Sequence, residues 1–168
     1  MSETVNAELP QSSICITLYS HGDTTYHWAI VAPIDRYYAA KFHATNRGSA
    51  GWLYKPWQYK SVDEVLSSSR TAVVVVKIGE LGSNTIDALN SLLKDIPMTI
   101  TNPEEADEPF GTKVWVRQAI RALHHARIIH CPDARKLEAE VLGYADANDE
   151  DIIHGKGGFK IHVAVSST

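Results

Sequence analysis

The chain has 168 residues, a formal net charge of −4, and apolar and charged fractions of 44% and 21%. That length suits one soluble domain whose core needs no staples, and an acidic balance without a basic stripe excludes the electrostatic footprint of a nucleic-acid binder. No apolar run approaches the roughly 20 residues that cross a bilayer, and the polar start MSETVNAELPQSS lacks the regions of a signal peptide, so the expectation is a cytoplasmic protein with no membrane partner.

Residues 1–12 read as a disordered or loosely attached arm, leaving 13–168 as a single domain. Residues 13–20, SICITLYS, alternate in the manner of a strand, and His21-Gly22-Asp23 turns the chain. Two runs follow, YHWAIVAP at 26–33 and YAAKFHAT at 38–45, on either side of a turn-like segment, and together they predict an antiparallel hairpin. A turn centred on Asp35 sets Trp28 opposite Phe42, Ile30 opposite Ala40, and His27 opposite His43. The pleat then gives a core face of Tyr26, Trp28, Ile30, Phe42 and Ala44. The other face, small and polar, carries His27, Ala29, Val31, Lys41, His43 and Thr45.

A glycine-containing loop at 46–51 leads to the aromatic cluster Trp52, Tyr54, Trp57 and Tyr59, whose spacing suits a strand that Pro56 confines to an edge or a bulge. Such a cluster fits either core or the wall of an apolar pocket. Residues 62–69 read as a short helical or irregular connector, and 71–78, TAVVVVKI, as a strand buried on both faces. A helix opens after Gly82-Ser83-Asn84, carries Ile86, Leu89, Leu92, Leu93 and Ile96, and stops at Pro97. The acidic stretch 101–109, TNPEEADEP, reads as a solvated, mobile surface loop.

A second helix, with Thr112 as N-cap, is expected to run to about Ile129. A third starts at Pro132-Asp133, carries Leu137, Val141 and Leu142, and dissolves in the acidic 146–151. The tail, FKIHVAV, is a candidate edge strand. The glycines at 155–158 lack the spacing of a phosphate-binding loop, and His124, His125 and His130 lack a metal spacing on one helix face. Cys15 and Cys131 are too few for a disulfide framework and read as structural thiols. No metal and no cofactor is called for. The expected fold is α+β: an antiparallel sheet of about five strands with three helices on one face, the helix after Thr112 lying against the hairpin.

The order of a histidine-bearing hairpin, an aromatic segment, a buried strand and then a helix containing W-V-x-x-A-I resembles a circularly permuted papain-like arrangement. It is the order of the lecithin:retinol acyltransferase family and of permuted NlpC-type peptidases. More closely, YHWAIVAP, KFHATNRG, VVKIG and VWVRQAIRAL resemble an uncharacterised group of small fungal proteins, in which a cysteine stands three residues before the matching tryptophan. The resemblance covers roughly residues 14–142. It implies His27 as base, His43 as orienting residue, and a nucleophile position occupied here by Thr112.

A thiol at a helix start is activated by unpaired N–H groups and a neighbouring imidazole, whereas a hydroxyl there is a far poorer nucleophile. The expected function is therefore a small-molecule enzyme of isomerase, cyclase or lyase type. It would use non-covalent acid–base chemistry on a largely apolar substrate, with Lys41, Asn46, Arg47, Trp52, Tyr54 and Trp57 as substrate-binding residues. Two alternatives stay open: a catalytically inactive binding or interaction module, and a hydrolase or acyltransferase acting through Thr112. The oligomeric state is not legible in the sequence.

Overall fold

The computed structural model describes residues 8–47 and 54–168. Strand β1 (Ser13–Ser20) is followed by β2 (Tyr26–Pro33) and β3 (Tyr38–Arg47), then β4 (Tyr54–Val65) and β5 (Ala72–Glu80). Three helices come next, α1 (Ile86–Leu93), α2 (Thr112–His125) and α3 (Ala134–Ile153), and β6 (Lys160–Val163) closes the fold. The class is α+β. The sheet has six strands in the order β4-β3-β2-β1-β5-β6, antiparallel throughout except for the parallel pair β5 and β6. The tail strand thus adds a sixth, parallel member to the five that the alternating patterns predict.

Period-two alternation puts Ile14, Ile16, Leu18, Trp28, Ile30 and Phe42 on one face, and there α1, α2 and α3 bury Leu89, Leu93, Trp115, Ile120, Leu137 and Val141 against them. Helix α2 lies on β2 and β3, and α3 on β5 and β1. The opposite face buries Cys15, Ala29, Val31, Ala39 and Val75 under Leu9, Leu66, Phe159 and Ile161. Leu9 is only 3% exposed, so the packed chain begins before Ser13; residues 1–7 of the expected arm lie outside the described residues.

Several expectations are corrected. The hairpin pairs Ile30 with Phe42, Val31 with Lys41 and Ala32 with Ala40, two residues away from the register read from a turn at Asp35. The cause is local: Asp35 Oδ1 accepts the N–H groups of Tyr37 and Tyr38 at 2.7 and 2.8 Å, which builds a four-residue turn rather than one centred on the aspartate. Strand β4 runs through the expected connector to Val65, and only Leu66–Ser68 is a 3₁₀ turn. It is the edge strand that Pro56 requires. Helix α2 ends at His125, and its cap is Gly111, with Thr112 the first helical residue. Helix α3 continues through 146–151, because Asp146 accepts the Tyr26 hydroxyl at 2.7 Å and Asn148 donates to the carbonyl oxygens of Val73 and Gly158.

The acidic loop is not a freely solvated segment. Glu105 is 6% exposed and pairs with Arg117, Arg121 and Arg135, and Glu108 pairs with Arg117, Lys113 and Arg135. Arg117, fully buried, also donates to both carboxylate oxygens of Glu138 at 2.7 and 3.0 Å. These contacts clip residues 105–108 to the first turns of α2 and to α3.

Candidate functional site

Strands β2 and β3 pair from the turn as far as Ile30 and Phe42, and beyond that rung they diverge. On the helix side of the gap, the Trp28 N–H donates to the Thr112 hydroxyl at 3.1 Å in place of a ladder bond to β3. On the other side the two histidine rings bridge the gap, His27 Nε2 lying 2.8 Å from His43 Nδ1 with the rings nearly perpendicular at 85°. The two-residue register shift does not separate them. A slip of two leaves every side chain on its own face, so the imidazoles become diagonal instead of direct neighbours.

Around this bridge opens a cleft of about 500 Å³ whose described lining includes His27, His43, Lys41, Asn46, Arg47, Trp57 and Thr112. Sequence reasoning thus names seven residues that the fold brings together. Of the expected aromatic wall, Trp57 lines the cleft and meets Phe110 edge-on at 5.5 Å, while Tyr59 turns to the helix side, its ring 6.0 Å from Trp115. Trp52 lies outside the described residues, and Tyr54 is described only in its backbone, which pairs with Arg47. Most of the described lining residues are polar in type, but the surface they present to the cleft is more apolar than polar, with Tyr19, Ala44 and Trp57 among its contributors.

Of the lining residues that the sequence reading did not place in the site, Tyr19 and Glu64 matter most, since both are bonded to or beside Lys41. Tyr19 donates its hydroxyl to Glu64, whose other oxygen lies 3.8 Å from Lys41 Nζ, and that ammonium sits 4.1 Å from the centre of the Tyr19 ring. The signal for Tyr19 was present, since residues 15, 17 and 19 share a face of β1. Glu64 was hidden by reading 62–69 as irregular.

Electrostatics follow from burial. The His27 pKa falls from 6.5 to about 3, chiefly because burial penalises the imidazolium and then because His43 and Lys41 stand nearby. His43 falls to about 4 for the same first reason, reinforced by Lys41 and Lys60. Burial also lowers the Lys41 pKa, with Glu64 opposing the shift. Tyr19 is pushed well above its usual value by burial and the Glu64 charge.

A second cavity, about 640 Å³, is lined by His124, His125, His130, Arg127 and Thr168. There His124 Nδ1 accepts the Cys131 N–H at 3.1 Å, and the rings of His124 and His130 are 5.5 Å apart. Among the described residues no group of three potential ligands converges on a point.

Over residues 12–160 the sequence matches a family described as "Family of unknown function (DUF6914)". No curated protein and no solved structure matches the chain.

Proposed function

The chain belongs to the DUF6914 family, whose function is unknown, and from the geometry of its cleft we propose that it is a small-molecule enzyme of isomerase, cyclase or lyase type, working by acid–base chemistry without a covalent intermediate. The observation that carries this reading is the 2.8 Å nitrogen–nitrogen bond between two imidazoles that both stay uncharged at neutral pH.

A neutral imidazole has one N–H and one lone pair, so the shared bond fixes what each outer nitrogen offers. If His27 donates, its Nδ1 carries a free lone pair and His43 Nε2 carries a hydrogen. If His43 donates, the roles reverse. The pair therefore always presents a base at one end and an acid at the other. A proton taken at His27 Nδ1 and passed through the bond leaves a different proton free to depart from His43 Nε2, with no net charge stored in the cleft.

That relay suits a reaction in which a proton leaves one atom of a substrate and returns to another. Lys41, on the same face, is the donor for negative charge that develops on a substrate oxygen. Asn46 and Arg47 offer polar anchors, and Trp57 an apolar surface. A cleft surface more apolar than polar, with imidazoles, Lys41 and Glu64 set in it, suits a largely apolar ligand with a polar reacting end. We read the site as a permuted papain-like cleft in which Thr112 replaces the thiol and the imidazoles retain the chemistry, in a cytoplasmic protein. The described helices include none long and apolar enough to cross a membrane.

The experiment is a screen of small carbonyl and hydroxy compounds, followed by the NMR signals of the His27 and His43 rings, with turnover of the hits measured in His27→Ala and His43→Ala. Each variant is expected to stay folded and lose about 10²–10⁴-fold in kcat, the usual contribution of a general acid or base. Full activity in both variants overturns the relay. Hits that shift the rings yet are never consumed make the cleft a binding module.

A further inference from the structure

Strand β4 is the outermost strand at one side of the sheet and is 12 residues long. Long edge strands with unpaired backbone groups are usually blunted by proline, lysine or inward charges. Pro56 and Lys55 blunt the first part of β4, and Lys60, Asp63 and Glu64 place charges of both signs along the rest. From Gln58 to Val65 the edge carries no proline, and Val62 and Val65 are each 41% exposed. Val65 stands opposite Tyr38 of β3, itself 46% exposed, on the face that carries the helices, while Val62 stands opposite Lys41 on the other face. Exposed valines on both faces of an edge strand leave apolar surface that pairing with another strand would cover.

The residues along the edge say what fits it. Pairing with β3 sets Lys60, Val62 and Glu64 on the face of the sheet that carries the imidazoles, and Tyr59, Ser61, Asp63 and Val65 on the face that carries the helices. In a two-fold antiparallel pairing of β4 with a second β4, opposed residues must share a face. Centring the axis on Lys60, Asp63 or Glu64 opposes like charges, and centring it on Ser61 sets Lys60 against Val62. Centring it on Val62 opposes Val62 to itself, Lys60 to Glu64 on both sides, Ser61 to Asp63, and Tyr59 to Val65. Centring it on Tyr59 also opposes Lys55 to Asp63, but it brings Pro56, which has no N–H to donate, into the ladder opposite Val62; the Val62 register pairs opposite charges and apolar side chains while leaving the proline outside.

We propose that the protein forms a homodimer through its β4 edges, antiparallel and centred on Val62, giving one continuous twelve-stranded sheet. The second copy then sets Lys60 opposite Glu64, the carboxylate that holds the Tyr19 hydroxyl and faces Lys41 in the cleft. The dimer contact and the cleft share that carboxylate, although the pairing argument is independent of any catalytic reading.

The register makes the test specific. Cys15 and Cys131 are buried, so a cysteine placed on β4 is the one exposed thiol among the described residues. Mild oxidation is expected to convert Val62→Cys to a disulfide-linked dimer, because directly opposed residues lie within disulfide reach, while Ser61→Cys stays monomeric on the same gel. Sedimentation equilibrium of the unmodified chain is expected to show a concentration-dependent dimer, and Val62→Lys to raise the dissociation constant about tenfold or more, since it opposes two like charges. A monomer at every concentration overturns the dimer. Equal cross-linking of Ser61→Cys and Val62→Cys, or cross-linking of Ser61→Cys alone, overturns the register.

Discussion

Thr112 occupies the place where the resembling fold carries a nucleophile, yet its hydroxyl accepts the Trp28 N–H at the gap between β2 and β3. That bond satisfies a backbone donor which the divergence of the strands would otherwise leave unpaired beside the core. Thr112→Val, nearly the same shape, is therefore expected to lower the unfolding free energy by about 1–3 kcal/mol, the usual cost of an orphaned buried donor, while Thr112→Ser stays close to the parent. Urea denaturation of the two variants decides it. Equal stability of valine and serine would show the bond to be dispensable. His27 and His43 were legible from their shared parity on adjacent strands, and Lys41 came with them. The roles of Tyr19 and Glu64 were not, because they come from β1 and β4 and meet only when four strands are laid side by side.

At the level of elements, α2 is held by a cation that the sequence gives no reason to bury. Arg117 is fully buried, and its three carboxylate partners come from two places: Glu138 on α3, and Glu105 and Glu108 on the loop before α2. A run of acidic residues read alone is a solvated loop, and only the folded chain supplies the counter-charge. Arg117→Met removes the cation and leaves three carboxylates crowded in a poorly hydrated site. The expected cost is about 3–5 kcal/mol, measured by chemical denaturation, as for other half-removed buried ion pairs. A loss below about 1 kcal/mol would mean that the carboxylates reach water without rearrangement. The same folded partners explain why α3 continues through its acidic segment: Asp146 and Asn148 are bonded to β2, β5 and the loop before β6.

For the whole molecule, the imidazoles tie stability to pH. In the fold they remain neutral down to about 3 and 4, whereas an unperturbed histidine takes up its proton near 6.5. Below 6.5 the unfolded chain binds more protons than the folded one, so stability is fully present above that value and falls as the pH is lowered toward 4. Glu105, held at about 2 by Arg121 and Arg117, acts in a lower window: its contribution is present above 4.5 and is lost toward 2. Between pH 6.5 and 5 the histidines dominate. The urea midpoint is expected to drop across that interval, and the double variant His27→Gln/His43→Gln to flatten the drop, with a residue left by His162, which burial also lowers. An unchanged slope in the double variant would show that the rings are not buried neutral.

Alternation with period two is a local property of the chain, so the sequence by itself determined strands β1 to β3, the two faces of the hairpin, and the placement of both imidazoles and Lys41 on the same side. That conclusion survives a register error of two residues because parity does not change. The register, the divergence of β2 from β3, the seat of Thr112 in the resulting gap and the burial of Arg117 were decided only by tertiary structure. Each depends on which distant segments meet, and no local period records the partner of a residue that lies two strands or two helices away.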